Sequence, residues 1–118
     1  MTTARLASSH FPYLPIRLEV RGHTAELEAL LDTGFDGAVA VPPGLVSNGR
    51  PPDHRSRWIL ADGSEVAAAS YLGTVTLGSF GPYDVLITAL GDEPILGREL
   101  ATRFRNILDH GREISIEP

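Results

Sequence analysis

The sequence predicts an all-β domain with one short helix, and three observations carry that expectation. Apolar and polar residues alternate in several short runs, so that one face of each run can be buried while the other meets water. Turn chemistry separates the runs, at Arg21-Gly22-His23, Asp62-Gly63, Gly78-Ser79 and His110-Gly111. Only residues 98–104 space their apolar side chains, Leu100, Ala101 and Phe104, for one face of a helix.

Taken in order, residues 13–20 set Ile16, Leu18 and Val20 on one side and Arg17, Glu19 and Arg21 on the other, the pattern of a half-buried strand. Gly22 tolerates the positive φ of a tight turn, so the chain folds back on itself there. Residues 24–31 are rich in Ala, Glu and Leu and by propensity alone read as helix. The stretch is short, follows a turn and keeps Leu27, Ala29 and Leu31 in period two, which favours a strand instead. Ala38-Val39-Ala40-Val41 reads as a short buried strand bounded by Pro42-Pro43. Residues 42–53, with Ser47-Asn48-Gly49, read as a loop, with one helical turn possible at 43–46. Trp58-Ile59-Leu60 and Glu65-Val66 flank Ala61-Asp62-Gly63-Ser64 as a projecting hairpin, with Asp62 expected to open a type I′ turn. Residues 71–77 and 83–90 read as two strands separated by a turn over 78–82. After the helix, Ile107-Leu108 and Ile114-Ser115-Ile116 close the chain as a hairpin whose last strand, 113–117, is expected to lack a second partner and to supply a dimer interface.

At 118 residues the chain is expected to be one domain, 1–118, and 42% hydrophobic with 21% charged residues is ordinary for a folded protein. A net charge of −5 removes the basic footprint of a nucleic-acid binder, and Arg50, Arg55 and Arg57 sit in a polar stretch beside Asp53. No cysteine is present, and His10, His23, His54 and His110 lack ligand spacing, so neither a disulfide framework nor a metal site is expected. Residues 1–20 hold no long apolar run, which gives no membrane span or signal peptide and a cytoplasmic location by default.

Asp32 follows the apolar pair Leu30-Leu31 and precedes Thr33-Gly34, which places a carboxylate where a buried strand ends and turns. A charge there is expensive unless hydrogen-bonded; Thr33 offers a hydroxyl, and Gly34 lets the backbone approach closely enough for its N–H to donate. Two close carboxylates sharing a proton can activate water and protonate a carbonyl, but one aspartate cannot do both. The tripeptide by itself is equally consistent with a plain turn. Asp36, Asp62, Asp84 and Asp109 read as turn or surface carboxylates, and Trp58 as a packing residue or part of a cleft.

In Leu30-Leu31-Asp32-Thr33-Gly34-Phe35-Asp36-Gly37, Leu60-Ala61-Asp62-Gly63 and Ile95-Leu96-Gly97-Arg98-Glu99-Leu100, in that order, the chain resembles the retropepsin-like aspartic peptidases, and within them the small prokaryotic group carrying Asp-Thr-Gly-Phe. The resemblance implies a closed β-barrel of the acid-protease fold, a homodimer that hydrolyses peptides without a cofactor, and Asp32 as the catalytic aspartate. It implies that Thr33 locks the paired active-site loops, that Gly34 is a backbone donor, and that Leu60, Ala61, Asp62 and Gly63 form the tip of a flap over the substrate. Ile95, Leu96 and Gly97 would thread beside the active-site loop, with Gly97 needed for clearance. Phe35 is bulkier than the residue many members have after the glycine, and it reads either as a wall of the substrate pocket or as core. The rival from another class is a non-catalytic dimeric module that binds a peptide or protein partner in the same groove.

Overall fold

A computed structural model describes residues 4–46 and 49–118, so Ser47 and Asn48 of the expected 42–53 loop, and the first three residues of the 1–20 stretch, lie outside it. Ten strands and one helical turn follow in the order β1 (Leu6–Ser8), β2 (Tyr13–Val20), β3 (His23–Leu31), β4 (Val39–Val41), β5 (His54–Ile59), β6 (Glu65–Leu77), β7 (Phe80–Ala89), β8 (Ile95–Leu96), α1 (Arg98–Ala101), β9 (Arg105–Asp109) and β10 (Glu113–Glu117). A short 3₁₀ turn covers Pro43–Leu45.

Strands β2, β3, β8, β4, β7 and β6 pair in that order, and β6 returns to β2 through Arg17↔Thr76, Leu18↔Val75 and Glu19↔Thr74. The sheet therefore closes on itself as a barrel, and β5 extends beyond the closure on the outer edge of β6. Leu14, Ile16, Leu18 and Val20 of β2 point inward and meet Val39, Val41, Val75, Leu77, Ile87 and Leu96 in the core. Strand β3 follows period two as expected, with Ala25, Leu27, Ala29 and Leu31 shielded and Thr24, Glu26 and Glu28 exposed. Pairing of eight residues with β2 outweighs the helical propensity of Ala, Glu and Leu.

Several boundaries differ from expectation for identifiable reasons. Residues 65–77 form one strand, because the small residues Ala67, Ala68 and Ala69, which show no alternation, are paired with β5, and at Ser70 the strand passes on to β7. Strand β7 starts at Phe80, not Tyr83, since the turn is only Gly78-Ser79 and the strand then carries an irregularity opposite Val75–Leu77. The helix is limited to Arg98–Ala101; Phe104 has left it to pack on Phe80, with ring centroids 5.0 Å apart. Asp62 does not open a type I′ turn, since Gly63 and not Asp62 has positive φ (86°). Gly63 N–H donates to Leu60 O (2.9 Å) and Leu60 N–H to Ser64 O (2.8 Å), a three-residue loop with glycine in the left-handed position.

The terminal strand also differs. Strand β10 is the middle of a three-stranded sheet, paired with β9 on one side and with β1 on the other through Leu6↔Ile116 and Ser8↔Ile114. Ile114 and Ile116 lie in the core at 0% and 1% exposure. Deleting residues 113–117 would thus remove two core isoleucines, whose burial is worth about 3–6 kcal/mol together, against a typical total stability of about 5–15 kcal/mol. The expected product is unfolded or aggregated protein, not a folded monomer, as far-UV circular dichroism and light scattering would register.

Where the chain turns into β5, Asp53 accepts hydrogen bonds from Leu72 N–H (2.8 Å) and the Arg21 guanidinium (3.2 Å), while Asp53 N–H donates to Ser70 O (3.0 Å). Arg21 also donates to Pro51 O and stands over the Tyr71 ring. The Leu72 N–H first, and Arg21 second, hold the Asp53 carboxyl below its ordinary value of 3.8. A depressed folded pKa gives stability that is present above the unfolded value and lost as pH falls through the folded one. Asp53→Asn should therefore lower the urea midpoint at neutral pH, and the gap from wild type should narrow progressively as pH falls below about 4; a gap that stays constant down to the most acid pH at which both proteins remain folded would exclude a charge effect.

Candidate active site

Strand β3 ends at Leu31, and the backbone then leaves the sheet under tight control. Parallel pairing with β8 sets Leu30 against Ile95 and Leu31 against Leu96. Asp32 N–H donates to Leu96 O (2.9 Å), which fixes the first residue of the loop to the strand beside it. The loop closes on itself when Phe35 N–H donates to Asp32 O (3.2 Å), and Gly34 N–H donates to Asp32 Oδ1 at 2.8 Å. One carboxylate oxygen is thus held by the backbone. Asp32 is half-buried, whereas Thr33 and Gly34 are exposed, so the loop presents its carboxylate and hydroxyl at the surface of a single chain.

The far side of the loop is pinned by the start of α1. Gly97 N–H donates to Ala38 O (2.8 Å), Arg98 N–H to Phe35 O (2.9 Å) and Glu99 N–H to Gly37 O (3.2 Å). The first N–H groups of a helix have no partner within it, and here the carbonyls of the loop supply partners. Asp36 and Arg98 add an exposed ion pair at 2.9 Å, worth at most about 1 kcal/mol at such exposure. Gly97 is buried, and a Cβ on it would overlap the Gly37 carbonyl and stand 2.6 Å from the Phe35 ring and 2.8 Å from the Phe35 carbonyl oxygen.

The sequence-predicted residues Asp32, Thr33, Gly34 and Phe35 are thus brought together with Ile95, Leu96 and Gly97. Leu60, Ala61, Asp62 and Gly63 form the exposed tip of the β5–β6 hairpin, and their hydrogen bonds are made within the turn. Asp62 accepts from Ser64 Oγ (2.6 Å) and Ser64 N–H (2.9 Å), bonds that lower its pKa and keep it ionised as a turn residue. What links the hairpin to the loop is Trp58, whose ring centroid is 5.0 Å from that of Phe35. Phe35 is half-buried between Trp58, Gly37 and Gly97, so it is packed against the site's framework with one side still open. The Asp36–Arg98 pair joins residues far apart in sequence, and no local signal announces it. Asp84 is exposed on β7, and Asp109 pairs with His110 Nδ1 at the β9–β10 turn.

Two surface grooves, of about 240 and 490 Å³, are lined by residues such as Leu18, His23 and Leu45, and by Leu6, Arg17 and Glu26, respectively. Neither contains a residue of the Asp32 loop or of the hairpin tip. Among the described residues, no three His, Asp or Glu side chains gather as a metal site would require, and no helix is long and apolar enough to cross a membrane.

No protein-family model matches the chain, and no curated protein does. Among solved structures it is similar to the crystal structure of a retropepsin-like aspartic protease from Rickettsia conorii, with 19% sequence identity, a TM-score of 0.61, and coverage of 98% of this chain and 89% of that one. The six-stranded closed barrel, the parallel seat of Ile95-Leu96 beside Leu30-Leu31 and this likeness together identify the fold as retropepsin-like.

Proposed function

We propose that the protein is an aspartic endopeptidase working as a homodimer, in which two Asp32 carboxylates, one per subunit, meet in a shared cleft. The observation that carries this reading is the Asp32-Thr33-Gly34 loop: rigidly bonded to β8 behind it, held at Asp32 Oδ1 by Gly34 N–H, and exposed in front. An exposed loop held this firmly, in a retropepsin-like barrel, suits a surface completed by a second copy about a two-fold axis.

Two carboxylates a few Å apart cannot both ionise cheaply, so the pair holds one proton. The ionised member takes a proton from a water that attacks the peptide carbonyl, and the protonated member gives its proton to the carbonyl oxygen. On collapse of the tetrahedral species the carboxyl that took the water proton gives it to the amine that leaves, and the other carboxylate takes a proton from a hydroxyl of the tetrahedral carbon, which restores the starting pair. An extended peptide would lie between the loop and the β5–β6 hairpin, bound in part through its main chain.

Incubation with a diverse peptide library across acid to neutral pH, with fragments read by mass spectrometry, tests the proposal. Cleavage should follow a bell in pH, falling when both carboxylates are protonated and again when neither is. A rate that climbs steadily into alkaline pH would point to a different nucleophile.

A further inference from the structure

Trp58 stands on the row of β5 that, with Ser56, faces inward, while Arg55, Arg57 and Ile59 are exposed. Its ring meets Phe35 at 5.0 Å between centroids and a 40° tilt, within the range of attractive aromatic pairs. Phe35 has no room to retreat. Its ring lies 2.7 Å from where a Cβ on Gly37 would stand and 2.6 Å from the same point on Gly97, while its N–H and carbonyl are bonded to Asp32 O and Arg98 N–H. Trp58 also approaches that glycine seat, its Cη2 lying 3.2 Å from the Gly37 position. Phe35 is therefore a fixed post on the Asp32 loop, and the hairpin is the part that can move.

A second observation sets how firmly the two are joined. Trp58 Nε1 is buried and has no hydrogen-bond partner among the described residues. A buried donor left unpaired opposes the contact that buries it, because swinging the indole out would let water accept the N–H. Ring contact favours closure and the orphan donor favours release, so the balance is close.

We infer that Trp58 is a positioning residue: its ring latches the β5–β6 hairpin onto Phe35, and the latch sets how tightly the hairpin closes over a peptide held at Asp32. The latch rests on the peptidase reading only for its effect on peptide; its effect on the hairpin stands without it. Closure by a contact of this strength is reversible, which a hairpin that must admit and release substrate requires. Loss of the latch lowers the fraction of molecules in the closed state and raises the apparent dissociation constant of peptide by that factor.

Trp58 is the sole tryptophan, so intrinsic fluorescence reports on the latch directly. Acrylamide quenching of the peptide-free protein should rise about 1.5- to twofold in Phe35→Leu, because a near-even balance shifted by the three- to tenfold of an aromatic pair's coupling takes the open fraction from about a half toward one. In case Phe35→Leu does not fold, amide hydrogen exchange of Trp58→Leu gives the same answer from the exposed hairpin: faster exchange over residues 54–66, with β2 and β3 unchanged. With a peptide from the library, Trp58→Leu should raise KM about two- to fivefold at nearly constant kcat, and Trp58→Phe, which keeps a ring and removes the orphan donor, should stay within about 1.5-fold of wild type. A role confined to folding would lower the active fraction, and so apparent kcat, without moving KM. Equal quenching in wild type and folded Phe35→Leu, or unaltered hairpin exchange in Trp58→Leu, overturns the latch. So does an unchanged KM in Trp58→Leu beside an active wild type. If wild type cleaves nothing while quenching and exchange shift as expected, the peptidase reading fails and the latch stands.

Discussion

Asp32→Asn should abolish peptide cleavage, a loss of about 10²–10⁴-fold for removal of a general base, without loosening the fold. Asparagine has nearly the same shape and keeps an Oδ1 that can accept the Gly34 N–H now at 2.8 Å, and the backbone bond from residue 32 to Leu96 O is indifferent to the side chain. The thermal midpoint should stay within about 3 °C of wild type, corresponding to less than about 1 kcal/mol. The stronger form of the experiment mixes wild type with a ninefold excess of the variant after subunit exchange has been shown with a mass label. Random pairing then leaves about a tenth of the wild-type chains in wild-type pairs, and activity per wild-type chain should fall to about that fraction. Activity that stays proportional to the wild-type protein added would mean that each chain acts alone, and the shared-proton mechanism would be wrong.

Local pattern was sufficient for elements whose partner is the next segment in sequence. The β2–β3 hairpin has its turn at Arg21-Gly22, both with positive φ, and an uninterrupted register from Tyr13↔Leu30 to Val20↔His23. The Asp32 loop and the Ile95-Leu96-Gly97 segment were visible as motifs, though only the resemblance brought them together; nothing in residues 24–31 or 95–97 alone specifies a parallel pairing. Contacts between remote segments were not legible. Leu6-Ala7-Ser8 has a single large apolar residue and acquires strand character only because β10 offers an edge. The same pairing removes the free edge that the terminal strand was expected to offer. The Phe35–Trp58 contact joins β5 to the Asp32 loop, segments remote in sequence, so Trp58 could be read only as packing or cleft.

Gly97→Ala should cost more stability than any other single methyl added to the site. A Cβ there would overlap the Gly37 carbonyl and stand 2.6 Å from Phe35 Cδ2 and 2.8 Å from the Phe35 carbonyl oxygen. Two of these neighbours are backbone, fixed by the Arg98 and Glu99 N–H groups, so relief requires the loop to move away from the start of α1. Overpacking of a dense site costs about 1–3 kcal/mol, and displacement of hydrogen-bonded backbone puts this case at the upper end, about 10 °C in thermal midpoint for a chain of this size. Because Leu96 O orients Asp32, the same movement should depress activity in whatever protein remains folded. Gly44→Ala is the control, since no atom stands within 4 Å of its Cβ position and its φ is not positive; its effect should lie within about 0.5 kcal/mol of zero. The source of the strain is separable as well. Adding Phe35→Ala to Gly97→Ala removes the ring collision but leaves both carbonyls in place, so the pair should be less destabilised than the sum of the singles, by about 1 kcal/mol of coupling. Full additivity would show that the ring yields freely and that the backbone carbonyls alone exclude a side chain at residue 97.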